Sequence, residues 1–314
     1  MEKEPLIILS GPTAVGKSDL AVELALREEL EIISADSAQV YKGMDIGTAK
    51  ITKEEMRGVP HYLIDICDPY EDYSAYKFKT MAKDAISIIS EHGKVPLVVG
   101  GTGFYIQALL KDVDFDDEGP DLSYRKELED IAKEKGAEYL FGILKKTDPE
   151  SAESIPPENI KKVIRALEYH HLTGNTISSH NAKEAQKESA YNEAYFVLTD
   201  DRDLIYERIE KRVDKMIDEG LESEVRKLLD RCIPESCVSM QAIGYKEMVS
   251  YIKGDITLDE AIYQIKLNTR HFAKRQLTWY RREKNVIYID RRDYKNENEM
   301  LDFMYNETHK RGIL

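Results

Sequence analysis

Eight consecutive residues constrain this chain more than any others: Gly11-Pro12-Thr13-Ala14-Val15-Gly16-Lys17-Ser18 puts two glycines on either side of a four-residue spacer and follows them with Lys and Ser. The apolar run Leu6-Ile7-Ile8-Leu9 precedes this octet, and residues 18–30 follow it with Leu20, Leu24 and Ala25 at helical spacing. Strand, glycine loop and helix, in that order, form the context in which such a loop wraps a phosphate. The glycines let the backbone curl until several N–H groups face one anion, and the start of the helix adds a partial positive charge. Lys17 supplies a full charge, and the Ser18 hydroxyl stands where it can ligate a Mg²⁺ ion bridging two phosphates. The loop leaves open which phosphate compound it takes.

Two further apolar runs end in polar clusters. Residues 31–35 lead to Asp36, and residues 95–99 lead to Gly100-Gly101-Thr102. Strands alternating with helices predict an α/β fold with a parallel sheet core of the P-loop NTPase-like type, covered on both faces. Ligands in such sheets sit beyond the carboxyl ends of the strands, so the three clusters should face one crevice. From residue 111 to 190 the chain turns charged and helical, opening on the acidic run from Asp112 to Asp121, with turns at Asp148-Pro149 and Pro156-Pro157. This pattern predicts a helical insertion over residues 112–195 between two parts of the core, residues 1–111 and 196–314. Strand-like patterns return at residues 193–198 and 286–289, separated by long helical stretches, and the polar tail from Arg291 shows no readable pattern.

Composition narrows the function classes. A net charge of −14 argues against unspecific nucleic-acid binding, which draws on many Lys and Arg contacts to phosphate, but it leaves room for a local basic groove. No apolar run nears the roughly 20 residues of a membrane span, and residues 1–9 lack the basic start and longer apolar core of a signal peptide. Cys67, Cys232 and Cys237 are odd in number and lack metal-ligand spacing, which suits a reducing, cytoplasmic setting.

Asp36 opens the polar segment 36–50, Asp-Ser-Ala-Gln-Val-Tyr-Lys-Gly-Met-Asp-Ile-Gly-Thr-Ala-Lys. Its residue type allows two readings, a turn or helix cap and a catalytic or metal-linked carboxylate at a strand end. This segment, joined to the phosphate loop, closely resembles the tRNA dimethylallyltransferases. The resemblance continues through Pro60-His61-Tyr62-Leu63-Ile64-Asp65, Asp68-Pro69, Val99-Gly100-Gly101-Thr102, Arg165-Ala166-Leu167-Glu168, Ile243-Gly244-Tyr245-Lys246-Glu247 and Ala273-Lys274-Arg275-Gln276-Leu277-Thr278-Trp279, and so covers most of the chain.

The resemblance implies transfer of a dimethylallyl group from dimethylallyl diphosphate to N6 of adenosine 37 in tRNA, 3′ of the anticodon, with Mg²⁺ as cofactor and diphosphate as leaving group. It implies that Asp36 hydrogen-bonds the adenine amine as general base, with Ser37, Ala38 and Gln39 touching the substrate nucleotides. Thr102 and Lys17 would steady the charge growing on the diphosphate, although a turn-stabilising role for Thr102 stays open. The resemblance places Arg125 and the run Lys161-Lys162-Val163-Ile164-Arg165 of the insertion against the tRNA anticodon stem-loop. Within that run the family usually carries Arg where this chain has Lys. Tyr245 reads as a packing residue rather than a base platform.

A basic helix adds evidence of its own. At 100° per residue, Ile262, Ile265, Phe272 and Trp279 share one side of residues 260–283, while Lys266, Arg270, Lys274 and Arg281 gather on another, widened by His271, Arg275 and Arg282. The stretch contains few acids in a chain that is acidic elsewhere, which favours an anionic partner such as a structured RNA with a splayed base. Three alternatives remain at this level. The loop alone would permit a P-loop small-molecule kinase using ATP, the prenyl chemistry would permit a free adenine nucleotide as acceptor, and a GTP-dependent switch is weakened by the absence of an Asn-Lys-x-Asp motif.

Overall fold

The computed structural model describes residues 3–115 and 121–314, so part of the acidic run from Asp112 to Asp121, and the first two residues, fall outside the described residues. The chain forms two compact units, residues 113–188 and the remainder.

The larger unit is built on six parallel strands: β1 (Pro5–Ser10), β2 (Glu31–Ser34), β3 (His61–Tyr62), β4 (Pro96–Gly100), β5 (Asn192–Thr199) and β6 (Val286–Asp290). Their order across the sheet is β3-β2-β4-β1-β5-β6, with Ile7 level with Leu97 on one side and Ala194 on the other. Parallel strands covered on both faces are apolar along their whole length, and Leu6 to Leu9 of β1 are fully buried. Helices α1 (Lys17–Glu28), α2 (Lys53–Met56), α3 (Ala75–Glu91) and α4 (Gly103–Leu110) link the first four strands and lead out of β4. The chain runs from β1 outward through β2 to β3 and then back through β4 to β5 and β6, so the connection leaving β1 and those leaving its neighbours β4 and β5 run in opposite directions. Crevices for ligands open at such reversals, beyond the carboxyl ends of the strands.

The smaller unit contains α5 (Leu122–Lys135), α6 (Ala137–Thr147), α7 (Pro149–Ser154), α8 (Ile160–Thr173) and α9 (Ile177–Gln186). Its core gathers Leu128, Leu140, Phe141, Leu144, Val163 and Leu167. Asp148 starts α7 from a buried position, accepting from the Ser151 amide at 3.0 Å and the Ser178 hydroxyl at 2.7 Å.

After β5 the larger unit continues with α10 (Arg202–Asp218), α11 (Leu221–Asp230), α12 (Tyr245–Lys253), α13 (Leu258–Tyr280) and, beyond β6, α14 (Glu297–Lys310). Helix α14 occupies the tail in which the sequence shows no pattern. Met300, Leu301 and Met304 of this helix lie in the same core cluster as Leu20 and Leu24 of α1. On α13 the buried positions are Ala261, Ile265, Ala273, Gln276 and Tyr280, whereas Ile262, Phe272 and Trp279 are only partly covered.

Candidate active site

The phosphate loop leaves β1 through Gly11, whose backbone passes so close to β5 that a Cβ there would stand 2.3 Å from the Leu198 carbonyl oxygen. Ala14 (φ 62°) and Gly16 (φ 88°) both take the left-handed conformation, curling the loop back toward the start of α1. No side chain caps that helix start. Its first N–H groups and partial positive charge are thus left for an anion.

Two partly buried basic side chains converge on this loop. Lys17 donates from Nζ to the Pro12 carbonyl at 2.8 Å, and Arg212, from α10, donates to the Thr13 hydroxyl at 3.3 Å. Burial, reinforced by the nearby Arg212 charge, pushes Lys17 down to about 7, while Asp36 pulls it back up. Burial likewise lowers Arg212, against the pull of Asp19 and Asp36. Two desolvated like charges side by side are costly, and a bound polyanion would reverse that cost.

The loop is braced from behind by α13. Gln276 accepts from the Thr13 amide at 2.9 Å and donates to the Gly101 carbonyl at 2.9 Å, joining the phosphate loop to the end of β4. Ser10 donates to the Tyr280 hydroxyl or the Gly100 carbonyl, each at 2.6 Å, adding a second tie. Arg291 donates to the Val15 carbonyl at 3.2 Å.

Asp36 stands at the end of β2. Its Oδ1 accepts from the amides of Ala38 at 2.8 Å and Gln39 at 3.2 Å, as a capping residue does, and Oδ2 has no hydrogen bond among the described residues. The turn and catalytic readings of this residue are therefore compatible. Thr102 accepts from the Ser37 amide at 3.2 Å through its hydroxyl oxygen, while its own amide donates to the Ala35 carbonyl at 3.2 Å. The ends of β2 and β4 press together here, since a Cβ on Gly100 would stand 2.3 Å from the Ala35 carbonyl oxygen.

A cavity of about 600 Å³ gathers Thr13, Ala14, Gly16, Lys17, Ser18, Asp36, Gln39, Arg212 and Gln276 in its lining, with residues 45, 46 and 48–50 as one wall. Of the residues singled out from sequence, Gly11, Pro12 and Val15 shape the loop, and Ser37, Ala38 and Thr102 flank the cavity beside Asp36. Arg212 escaped notice in the sequence because it sits in an unremarkable charged helix without a motif. Gln276 belonged to a matched segment but carried no signal of its own as a bridge.

The insertion residues form a group of their own in the smaller unit. Arg125 (at 2.6 and 2.9 Å) and Arg165 (at 2.9 Å) both donate to the buried carboxylate of Glu168. Within the run Lys161-Lys162-Val163-Ile164-Arg165, the side chains of Val163 and Ile164 are buried in the core of that unit. Lys161 and Lys162 are exposed. The basic face of α13 also needs correction. Lys266 pairs with Asp214 at 2.6 Å and Arg270 pairs with Glu210, so α10 supplies the acids that α13 lacks. Lys274, Arg275, Arg281 and Arg282 stay exposed.

The IPP transferase family model matches residues 39–283, and the isopentenyl transferase model matches residues 5–68. The chain is 54% identical to a tRNA dimethylallyltransferase of Lachnoclostridium phytofermentans over 311 residues, 99% of each chain. It is 49% identical to a tRNA dimethylallyltransferase of Bacillus subtilis, across 92% of this chain and 91% of the relative. Among solved structures it resembles the full-length tRNA isopentenylpyrophosphate transferase of Bacillus halodurans, with a TM-score of 0.74 and 46% identity over 99% of this chain and 98% of that one. It also resembles a eukaryotic dimethylallyltransferase acting on tRNA, with a TM-score of 0.77 and 29% identity over 91% of this chain and 74% of that one. With a family match across most of its length and relatives near half identity over almost all of it, the chain belongs to the IPP transferase family.

Proposed function

We propose that this protein transfers the dimethylallyl group of dimethylallyl diphosphate to N6 of adenosine 37 in tRNA, giving N6-isopentenyladenosine and diphosphate. The observation that carries the reading is that one cavity contains both a phosphate cradle with two basic side chains, Lys17 and Arg212, and the Asp36 carboxylate, whose Oδ2 has no hydrogen bond among the described residues. Cradle and carboxylate suit the two ends of one displacement. The bond between the allylic carbon and the diphosphate oxygen breaks, and that electron pair leaves with the diphosphate. N6 forms the new bond to carbon, and its proton passes to Oδ2 of Asp36. Lys17, Arg212 and the N–H groups of the phosphate loop receive the growing negative charge, and the hydrogen bond from the Ser37 amide to the Thr102 hydroxyl supports a role for Thr102 beside Asp36.

Among the described residues no cluster of three or more His, Cys, Asp or Glu is arranged to hold a metal. Mg²⁺ needs no such cluster, because it normally takes one or two protein oxygens and completes its shell with phosphate oxygens and water. Ser18, lining the cavity at the start of α1, fits that limited role. When bound, Mg²⁺ would neutralise part of the diphosphate charge.

The names of the relatives support tRNA as acceptor. In this reading Gln39, Ser37 and Ala38 meet the nucleotides around the adenosine, and the insertion, through Arg125, Lys161, Lys162 and Arg165, meets the anticodon stem-loop. A cytoplasmic setting fits the free thiols of Cys67, Cys232 and Cys237, and no described helix is long and apolar enough to cross a membrane.

The test is incubation of the protein with Mg²⁺, labelled dimethylallyl diphosphate and unmodified tRNA having adenosine at position 37, beside parallel reactions with free adenine nucleotides and with γ-labelled ATP. Label in the tRNA is the expected result. Label only in the free nucleotide, or phosphate transfer from ATP without prenylation, would overturn the reading.

A further inference from the structure

We propose that Glu224 and Tyr245, which lie outside the cavity, form a positioning clamp that holds the wall of the adenosine end in its catalytic conformation. This inference rests on the prenyl-transfer reading and assigns new residues to that site.

The Glu224 side chain is buried on α11, yet no cation neutralises it within the hydrogen-bonded cluster around it. Its Oε2 accepts from the amides of Asp45 at 2.9 Å and Ile46 at 2.8 Å, and its Oε1 accepts from the Gly47 amide at 3.1 Å and the Tyr245 hydroxyl at 2.6 Å. Three consecutive amides converging on one carboxylate form an anion nest. Here the anion is part of the protein. A buried carboxylate is tolerated only when its acceptor positions are satisfied, and the nest and Tyr245 together satisfy them.

Tyr245, at the start of α12, adds a steric component. It is fully buried, and a Cβ on Gly47 would come within 2.5 Å of its ring. The ring thus presses on Gly47 where the carboxylate draws in its amide. Only a residue without a side chain allows the loop this close.

The clamp reaches the reacting end through a short chain of contacts. Asp45 and Ile46 line the cavity, as do Thr48, Ala49 and Lys50 immediately after the clamped Gly47. The Gln39 side chain donates from Nε2 to the carbonyls of Thr48 at 3.4 Å and Ala49 at 3.1 Å. Gln39 in turn donates its backbone N–H to Asp36. Releasing residues 45–47 would free the carbonyls that steer Gln39, and with them the turn that orients the Asp36 carboxylate. The phosphate loop has separate braces in Gln276, Tyr280 and Arg291, so the diphosphate end would not follow.

That separation gives the test. Glu224→Gln keeps the shape of the side chain but faces some of its four donors with another donor, and Tyr245→Phe removes only the hydroxyl. With tRNA and dimethylallyl diphosphate as substrates, the expected result is a fall in kcat of about 10- to 100-fold for Glu224→Gln and a smaller fall for Tyr245→Phe. The dissociation constant of dimethylallyl diphosphate should stay within about twofold of the parent value, since its braces are untouched. Hydrogen exchange at the amides of residues 45–47 should accelerate in both variants while β1 and β4 keep their protection.

Wild-type rates in both variants would overturn the proposal. So would faster exchange across the whole sheet, or equal losses in diphosphate binding and turnover, because those would mark Glu224 as a general stabiliser. If Glu224→Gln does not fold, Tyr245→Phe decides between the same outcomes. Failure of the parent protein to prenylate tRNA would count against the prenyl-transfer reading, whereas the exchange data would still report on the clamp.

Discussion

Asp36 contributes to both structure and proposed chemistry, and a suitable substitution separates the two. Asp36→Asn keeps an oxygen to accept from the Ala38 and Gln39 amides but cannot take a proton. We expect kcat to fall by about 10² to 10⁴, the usual range for loss of a general base, with dimethylallyl diphosphate affinity and melting temperature close to the parent's. A rapid-quench measurement of the transfer step checks this. Normal turnover would remove Asp36 from the proton path.

Lys17 gives a pH-dependent expectation with a definite sign. In the free protein its pKa lies near 7, whereas an unfolded chain would show about 10.4. The folded state therefore binds fewer protons than the unfolded state between those values, and the Lys17 contribution to stability rises with pH across that window. The penalty is full below about 7. Lys17→Met should raise the melting temperature of the ligand-free protein at pH 6, with the gain shrinking toward pH 10. Diphosphate binding restores the charge, so at pH 8 it should draw up to about one proton more into the parent complex than into Lys17→Met, and almost none more at pH 6. Calorimetry in buffers of differing ionisation enthalpy reads that difference directly.

At the scale of elements, the sequence revealed the structure wherever a local pattern was strong. The runs at residues 6–9, 31–35 and 95–99 became β1, β2 and β4 because buried parallel strands are apolar throughout, and the P-loop octet marked the turn between β1 and α1. Three features were less legible for physical reasons. β3 is only two residues long and depends on pairing with β2, so no periodicity could announce it. α14 spaces Met300, Leu301, Met304 and Thr308 along one face of a polar stretch, too thinly to stand out. The acids that neutralise part of α13 come from α10, and one helix read alone cannot show charges supplied by another. The Glu224 nest is the extreme case, since its three amides come from a loop nearly 180 residues earlier. The contact between strand ends supports a prediction at this scale. Gly100→Ala sets a methyl group against the Ala35 carbonyl, where no flexible side chain can yield. A cost of about 3 kcal/mol is expected, seen as a melting temperature lower by several degrees, and an unchanged value would mean that β2 and β4 can part without loss.

For the whole molecule the central tension is a net charge of −14 on a protein proposed to bind a polyanion. The structure resolves it by pairing some cations internally and leaving others free to face solvent. Lys266 and Arg270 spend their charge on Asp214 and Glu210, whereas Lys274 and Arg281 on the same stretch are exposed and have no ion pair among the described residues. Only the second pair should release counterions when tRNA binds. Each of Lys274→Ala and Arg281→Ala should therefore reduce the slope of log K against log salt by about one, with affinity falling similarly for every tRNA tested. Arg270→Ala should leave the slope unchanged, because removing it also leaves Glu210 unpaired and gives up no phosphate contact. Binding titrations at several salt concentrations measure all three. Equal slopes for the parent and for the Lys274 and Arg281 variants would show that this face does not carry the tRNA, and would shift the electrostatic footprint to the Lys161 and Lys162 side of the insertion.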